Sequence, residues 1–159
     1  MVSISIVSNG RLEKTAIYIN GEQITGLREV FISINEDGEF NSAIKYISSN
    51  NNELVKNIFT DELPLIQVSE PSFTEEELMA LQTITIESDG DLENTVVYWN
   101  EEMQEGIISL FVHIKAPTKE KKPGLSGMFG KTSTLPDAIC DAEITFREFD
   151  DSITVEKIF

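Results

Sequence analysis

The sequence predicts a mainly β protein: two tandem copies of a small antiparallel β-sandwich or barrel-like unit, joined by a short α-helix. Three observations predict it. First, Ile4 to Ile34 and Ile84 to Ile114 align at a constant offset of 80, and 13 of the 31 positions are identical, where unrelated segments share roughly two. Second, each copy is a run of short, alternating, β-branched segments separated by Gly, Asn and Asp turns, the spacing of an antiparallel β architecture. Third, the one stretch with helical signals is short and lies between the copies.

The first copy spans residues 1–59. Ile4 and Ile6 alternate with serines up to the turn Ser8-Asn9-Gly10. Ala16 to Ile19 then runs into Asn20-Gly21, a strong hairpin signal because both residues tolerate positive φ. Val30, Ile32 and Ile34 form one apolar face by their period of two. Ala43–Ile47 and Glu53–Phe59 complete about five strands.

The second copy, residues 83–159, repeats the pattern. Leu110, Val112 and Ile114 replace Val30, Ile32 and Ile34, and Gly106 keeps the place of Gly26. Glu101 replaces Gly21, so that hairpin is expected to differ. Tyr98 and Trp99, like Tyr18 and Ile19, must point to opposite faces of one strand, and Asp150-Asp151 reads as a turn. Beyond Ile114 the match resumes at an offset of 100, with Ile144, Thr145 and Phe146 facing Ile44, Lys45 and Tyr46. The second copy therefore carries 20 extra residues within 115–136.

Residues 60–82 form an acidic linker. Here Ser72 with Glu75, or Thr74 with Glu77, makes a capping box and three glutamates enrich the first turn, predicting a helix over 74–82. Leu78 and Leu81 share its apolar side.

Charge is the strongest statement about function. The net charge is −16: −2 in the first copy, −6 in the linker and −8 in the second copy. That excludes binding along a nucleic-acid backbone, which needs clustered Lys and Arg. It suits a solvating surface, a surface that seeks a basic partner, or one that imitates nucleic acid. The opening MVSISIVSNG does not read as a signal peptide, no apolar run reaches a membrane span, and one cysteine, Cys140, fits a reducing cytosol. The expectation is a cytoplasmic protein with no membrane contact.

The insertion is the most distinctive segment, with five lysines and one glutamate in an acidic chain. Gly130-Lys131-Thr132 resembles the end of a phosphate-binding loop. The required glycine five residues earlier is Leu125, and Pro136 follows closely, so nucleotide binding there is not expected. Gly, Pro, Ser and Lys make it a solvated loop by composition. As a contact loop it offers Leu125, Met128 and Phe129 as apolar anchors, with Lys121, Lys122 and Lys131 to steer them. These six residues are the candidate partner-binding site.

Other candidates are weaker. Glu87, Asp89, Asp91 and Glu93 alternate, yet Leu92 stands where a calcium loop needs glycine. His113 is the only histidine and has no Cys or second His beside it. Cys140 reads as a small buried residue. No nucleophile–base pair, metal set or cofactor motif is present, so a non-enzymatic protein without cofactors is expected.

Thr15-Ala16-Ile17-Tyr18-Ile19-Asn20-Gly21, then Gly26-Leu27 and Val30-Phe31-Ile32, resembles a pattern in small, largely uncharacterised β proteins of bacteriophages and prophages. The motif is Thr, any residue, an aliphatic, an aromatic, any residue, then Asn-Gly. The resemblance covers the first copy well and the second partly, because Glu101 breaks the Asn-Gly pair. It implies a phage setting and an all-β fold and carries over no binding residues. With the charge, it leads to an expected inhibitor of a host defence or nucleic-acid-acting protein. A virion structural or assembly protein is the alternative, and a sponge for a small signalling nucleotide a third. A host protein is the expected partner; self-association is the other.

Overall fold

The computed structural model describes residues 1–117 and 138–159 as two antiparallel sheets around one core. The strands are β1 (Val2–Ser8), β2 (Ala16–Ile19), β3 (Glu22–Thr25), β4 (Leu27–Asn35), β5 (Phe40–Ile47) and β6 (Glu53–Lys56) from the first copy. From the linker come β7 (Gln67–Val68) and α1 (Glu75–Met79). From the second copy come β8 (Gln82–Ser88), β9 (Val96–Trp99), β10 (Glu102–Met103), β11 (Ile107–Lys115), β12 (Ile139–Arg147) and β13 (Ile153–Lys157). The fold is mainly β, as the alternation requires, and each copy has six strands rather than five.

Neither copy closes a sheet pair of its own. Sheet I runs β10-β9-β8-β1-β2-β3-β7 and sheet II runs β13-β12-β11-β4-β5-β6. Each copy supplies three strands to each sheet, the linker adds β7 to sheet I, and the copies meet where β1 pairs with β8 and β4 with β11. The registers carry a consequence. Ser5 pairs with Thr85 and Ile32 with Val112, and each of these residues is opposite its own repeat counterpart. A pseudo-two-fold axis therefore passes through both sheets, the arrangement of an isologous dimer built into one chain. The Ser5 and Thr85 hydroxyls meet on it at 2.9 Å.

The shared core explains why a 60-residue copy need not be stable alone. Ile4, Ile6, Ile84 and Ile86 from sheet I face Val30, Ile32, Ile44, Leu110, Val112 and Ile144 from sheet II, all essentially inaccessible. The period-two reading of β4 and β11 holds: Val30, Ile32, Ile34 and Leu110, Val112, Ile114 all point inward.

The turns are duplicated to the hydrogen bond. Ser8 Oγ meets Thr15 Oγ1 at 2.7 Å and accepts from Gly10 N–H; Ser88 Oγ does the same with Thr95 and Gly90 at 2.8 and 3.0 Å. The second hairpin does not differ as expected. Asn100 and Glu101 take φ of 51° and 71°, like Asn20 and Gly21 at 51° and 85°. The strand pairing on either side dictates the turn, and Glu101 accepts a left-handed backbone.

The helix expected over 74–82 is shorter. Thr74 and Glu77 form the capping box, but α1 ends at Met79, because Gln82 already pairs with Ser8 in sheet I. No helix among the described residues is long and apolar enough to cross a membrane.

Candidate interaction surface

The six insertion residues singled out from the sequence, Lys121, Lys122, Leu125, Met128, Phe129 and Lys131, lie outside the described residues. Three other features can be placed. His113 stands on the outer face of sheet II with Nε2 2.6 Å from Glu29 Oε2. Beside it, Phe31 and Phe111 meet edge-to-face with centroids 5.6 Å apart. These phenylalanines are repeat counterparts astride the pseudo-two-fold axis, so they belong to the shared scaffold as a cross-strand aromatic pair.

Cys140 is half-buried, with Sγ 3.4 Å from Ser8 Oγ and 3.5 Å from Thr15 Oγ1. The alternating acids serve their own turn. Asp89 accepts from Asp91 N–H and Asn94 Nδ2, which holds its carboxyl below the usual range, and Asp91 caps the following 3-10 turn. No cluster of three His, Cys, Asp or Glu that could hold a metal occurs among the described residues.

The third feature is where the symmetry fails. At the first copy's end of the sandwich the linker closes the structure. β7 pairs with β3 through Ile24 and Val68, Thr25 and Gln67. Gln67 Nε2 donates to the carbonyls of Ile47 (2.8 Å) and Ser48 (3.3 Å), and Ser49 N–H donates to Leu65 O at 2.9 Å. Tyr46, fully buried, donates its hydroxyl to Pro64 O at 2.8 Å. Burial pushes that hydroxyl's pKa above the usual tyrosine range. Leu63 and Ile66 pack against the core.

At the second copy's end the equivalent positions have no such cover among the described residues. Sheet I stops at β10. Phe146 replaces Tyr46 and is only half-buried; Trp99 replaces Ile19, its indole N–H donating to Gln82 Oε1 at 3.0 Å. Gln104 and Glu105 stand where Ile24 and Thr25 pair with the linker. Phe149, at the place of Ser49, is fully exposed, and Met103 is 58% exposed where Gln23 is 9%. A groove of about 470 Å³ remains, with Trp99, Gln104, Phe146 and Phe149 in its walls and Glu105, Glu148 and Glu156 around them. Arg147 on its rim is engaged by Glu36, at 2.9 and 3.2 Å. On the neighbouring edge strand β13, Ile153 and Val155 are 61% and 56% exposed.

Sequence reasoning missed this groove. The signal lay in the substitutions between copies: Ile19 to Trp99, Tyr46 to Phe146, Ser49 to Phe149.

Searches against protein-family models, curated proteins and solved structures find no significant match to this chain.

Proposed function

We propose that the protein is a non-enzymatic, acidic interaction protein that binds another protein with its second half. The observation that carries this reading is the broken symmetry. One end of the sandwich is covered by the linker, while the other leaves Phe149, Met103 and Ile153 exposed where the first copy has Ser49, Gln23 and Glu53. Large exposed apolar side chains are what interaction surfaces present. The second copy also carries eight of the sixteen net negative charges, which favours a basic partner surface. Joined to the phage-like hairpin motif of the first copy, the surface suits a phage-encoded inhibitor of a host defence or nucleic-acid-acting protein, in the host cytoplasm, with nucleic-acid mimicry as one route.

The test is capture from a bacterial host lysate by the immobilised protein, beside a charge-matched acidic control and the variant Phe149→Ser, Ile153→Ser, Val155→Ser. A partner held by the protein and lost by the variant supports the reading. Nothing enriched above the control, or a partner held equally by the variant, overturns it.

A virion building block is a second reading, favoured by the pseudo-two-fold axis, since symmetric units suit assemblies. Stoichiometric presence in purified particles would select it.

A further inference from the structure

We infer that the groove at the second copy's end takes an extended peptide segment, apolar at alternate positions and flanked by Lys or Arg, which adds as an antiparallel strand to β10. The inference rests on the second half being the binding half and names what it binds. The template is within the molecule. At the symmetry-related end the linker occupies the same place: after a turn at Pro64-Leu65, where Leu65 has φ 55°, the strand β7 adds antiparallel to β3, and Ser69 N–H donates to Gln23 O at 2.9 Å. Leu63 and Ile66 pack on the core there.

The backbone of the second end is set for the same pairing. Gln104 donates its amide inward to Val97 O at 2.9 Å, so by the alternation of an antiparallel strand the amide of Met103, in β10, points outward. Met103 is the counterpart of Gln23, whose carbonyl receives Ser69. Strand addition of this kind draws affinity from main-chain bonds and specificity from side-chain pockets. Trp99 and Phe146 supply the apolar floor, and Phe149 a flanking wall.

The charge sets the occupant apart from the linker itself. Thr25, Ser48 and Lys56 of the covered end become Glu105, Glu148 and Glu156 of the open one. With Glu101 and Glu102 on the adjoining hairpin, and Arg147 occupied by Glu36, the rim is anionic. An acidic segment like Asp61-Glu62-Leu63 is repelled there and a basic one is drawn in. Glu101 also holds a left-handed backbone at φ 71°, a local strain of the kind kept beside working surfaces.

Trp99 is the only tryptophan in the chain, so its emission reads the groove directly. The probe is the linker segment from Asp61 to Glu70 with its three acids replaced by lysine, Lys-Lys-Leu-Pro-Leu-Ile-Gln-Val-Ser-Lys, titrated into the full-length protein; the acidic parent peptide is the comparison. The expected result is a saturable Trp99 shift with the basic peptide, about tenfold tighter than with the parent at low salt and converging at high salt. Met103→Pro, which removes an outward amide at a sheet edge where proline is tolerated, abolishes it. Phe149→Ala, a change at a fully exposed side chain, weakens it even if the proline variant folds poorly.

No saturable shift with either peptide, or equal binding by both variants, overturns the inference. A dimer in sedimentation that Met103→Pro dissolves also overturns it, assigning the groove to a second copy of the chain. The lysate capture reads any surface of the second half. A failed peptide titration beside a successful capture therefore removes strand addition and leaves the interaction protein standing.

Discussion

The two ends of the sandwich are built from the same repeat, yet among the described residues one is covered by the linker and the other has no such cover. At the first end Tyr46 is inaccessible and spends its hydroxyl on Pro64 O; at the second, Phe146 is half-open and has no hydroxyl to place. At the first end Ser48 and Ser49 are small and accommodate the linker; at the second, Glu148 and Phe149 project. Scaffold residues, shared by both ends, tolerate no such drift: Gly26 and Gly106 keep φ of 76° and 71°, each with its carbonyl accepting from the strand beside it, at 2.8 and 2.9 Å. The comparison teaches that the repeat fixes the frame and that the cover over each end is a separate decision.

The sharpest way to break this comparison is to truncate the matched aromatics. Tyr46→Ala should cost about 3–5 kcal/mol, the range for a large buried aromatic. Phe146→Ala should cost roughly half as much, since its ring is only partly removed from water. Urea unfolding of both variants measures the gap, and equal losses would mean that the second end is as closed as the first.

The hairpins give a smaller effect. Glu101→Gly should stabilise the protein by about 1 kcal/mol, because it relieves a left-handed non-glycine residue, and Gly21→Ala should destabilise it by a similar amount. A shift of the denaturation midpoint in opposite directions checks both.

The smallest effect separates the copies by pH. Asp89 and Asp150 have carboxyls held below the usual range, Asp89 first by the Asp91 amide and Asp150 first by the Ser152 hydroxyl. Their counterparts, Asn9 and Asn50, do not titrate. A carboxylate with a lowered folded-state pKa adds stability that is present above its unfolded pKa and lost as pH falls through the folded one. Asp150→Asn should therefore narrow the difference between midpoints at pH 7 and at about pH 3. An unchanged difference would show that the turn does not sense acid.

Much of the frame was legible in the sequence. The offset of 80 paired Ile32 with Val112 on paper before β4 and β11 paired them in space, and the alternation placed their apolar faces. Two things were not legible. Periodicity says which face of a strand is buried but not which strand it joins, so tandem small units and one merged sandwich write the same pattern. The short strand β7 was hidden too. Gln67 and Val68 carry no alternation of their own and become a strand only because β3 offers an edge. The proposed binding surface was half legible. The added residues stand out in the sequence by their lysines and glycines, whereas Trp99, Phe146 and Phe149 differ from Ile19, Tyr46 and Ser49 by single substitutions that composition does not mark.

The pairing of Ser5 with Thr85, 80 residues away, has a consequence for how the protein is made. A ribosome adds about 5–20 residues per second, so β1 waits roughly 4–16 s for β8 to be synthesised. During that time the first copy has no partner along β1 or β4, and both strands present open, apolar-backed edges of the kind that recruit other nascent chains. The serines at positions 3, 5 and 33 put polar side chains on the outward faces of these strands, beside Val7 and Phe31, through that interval.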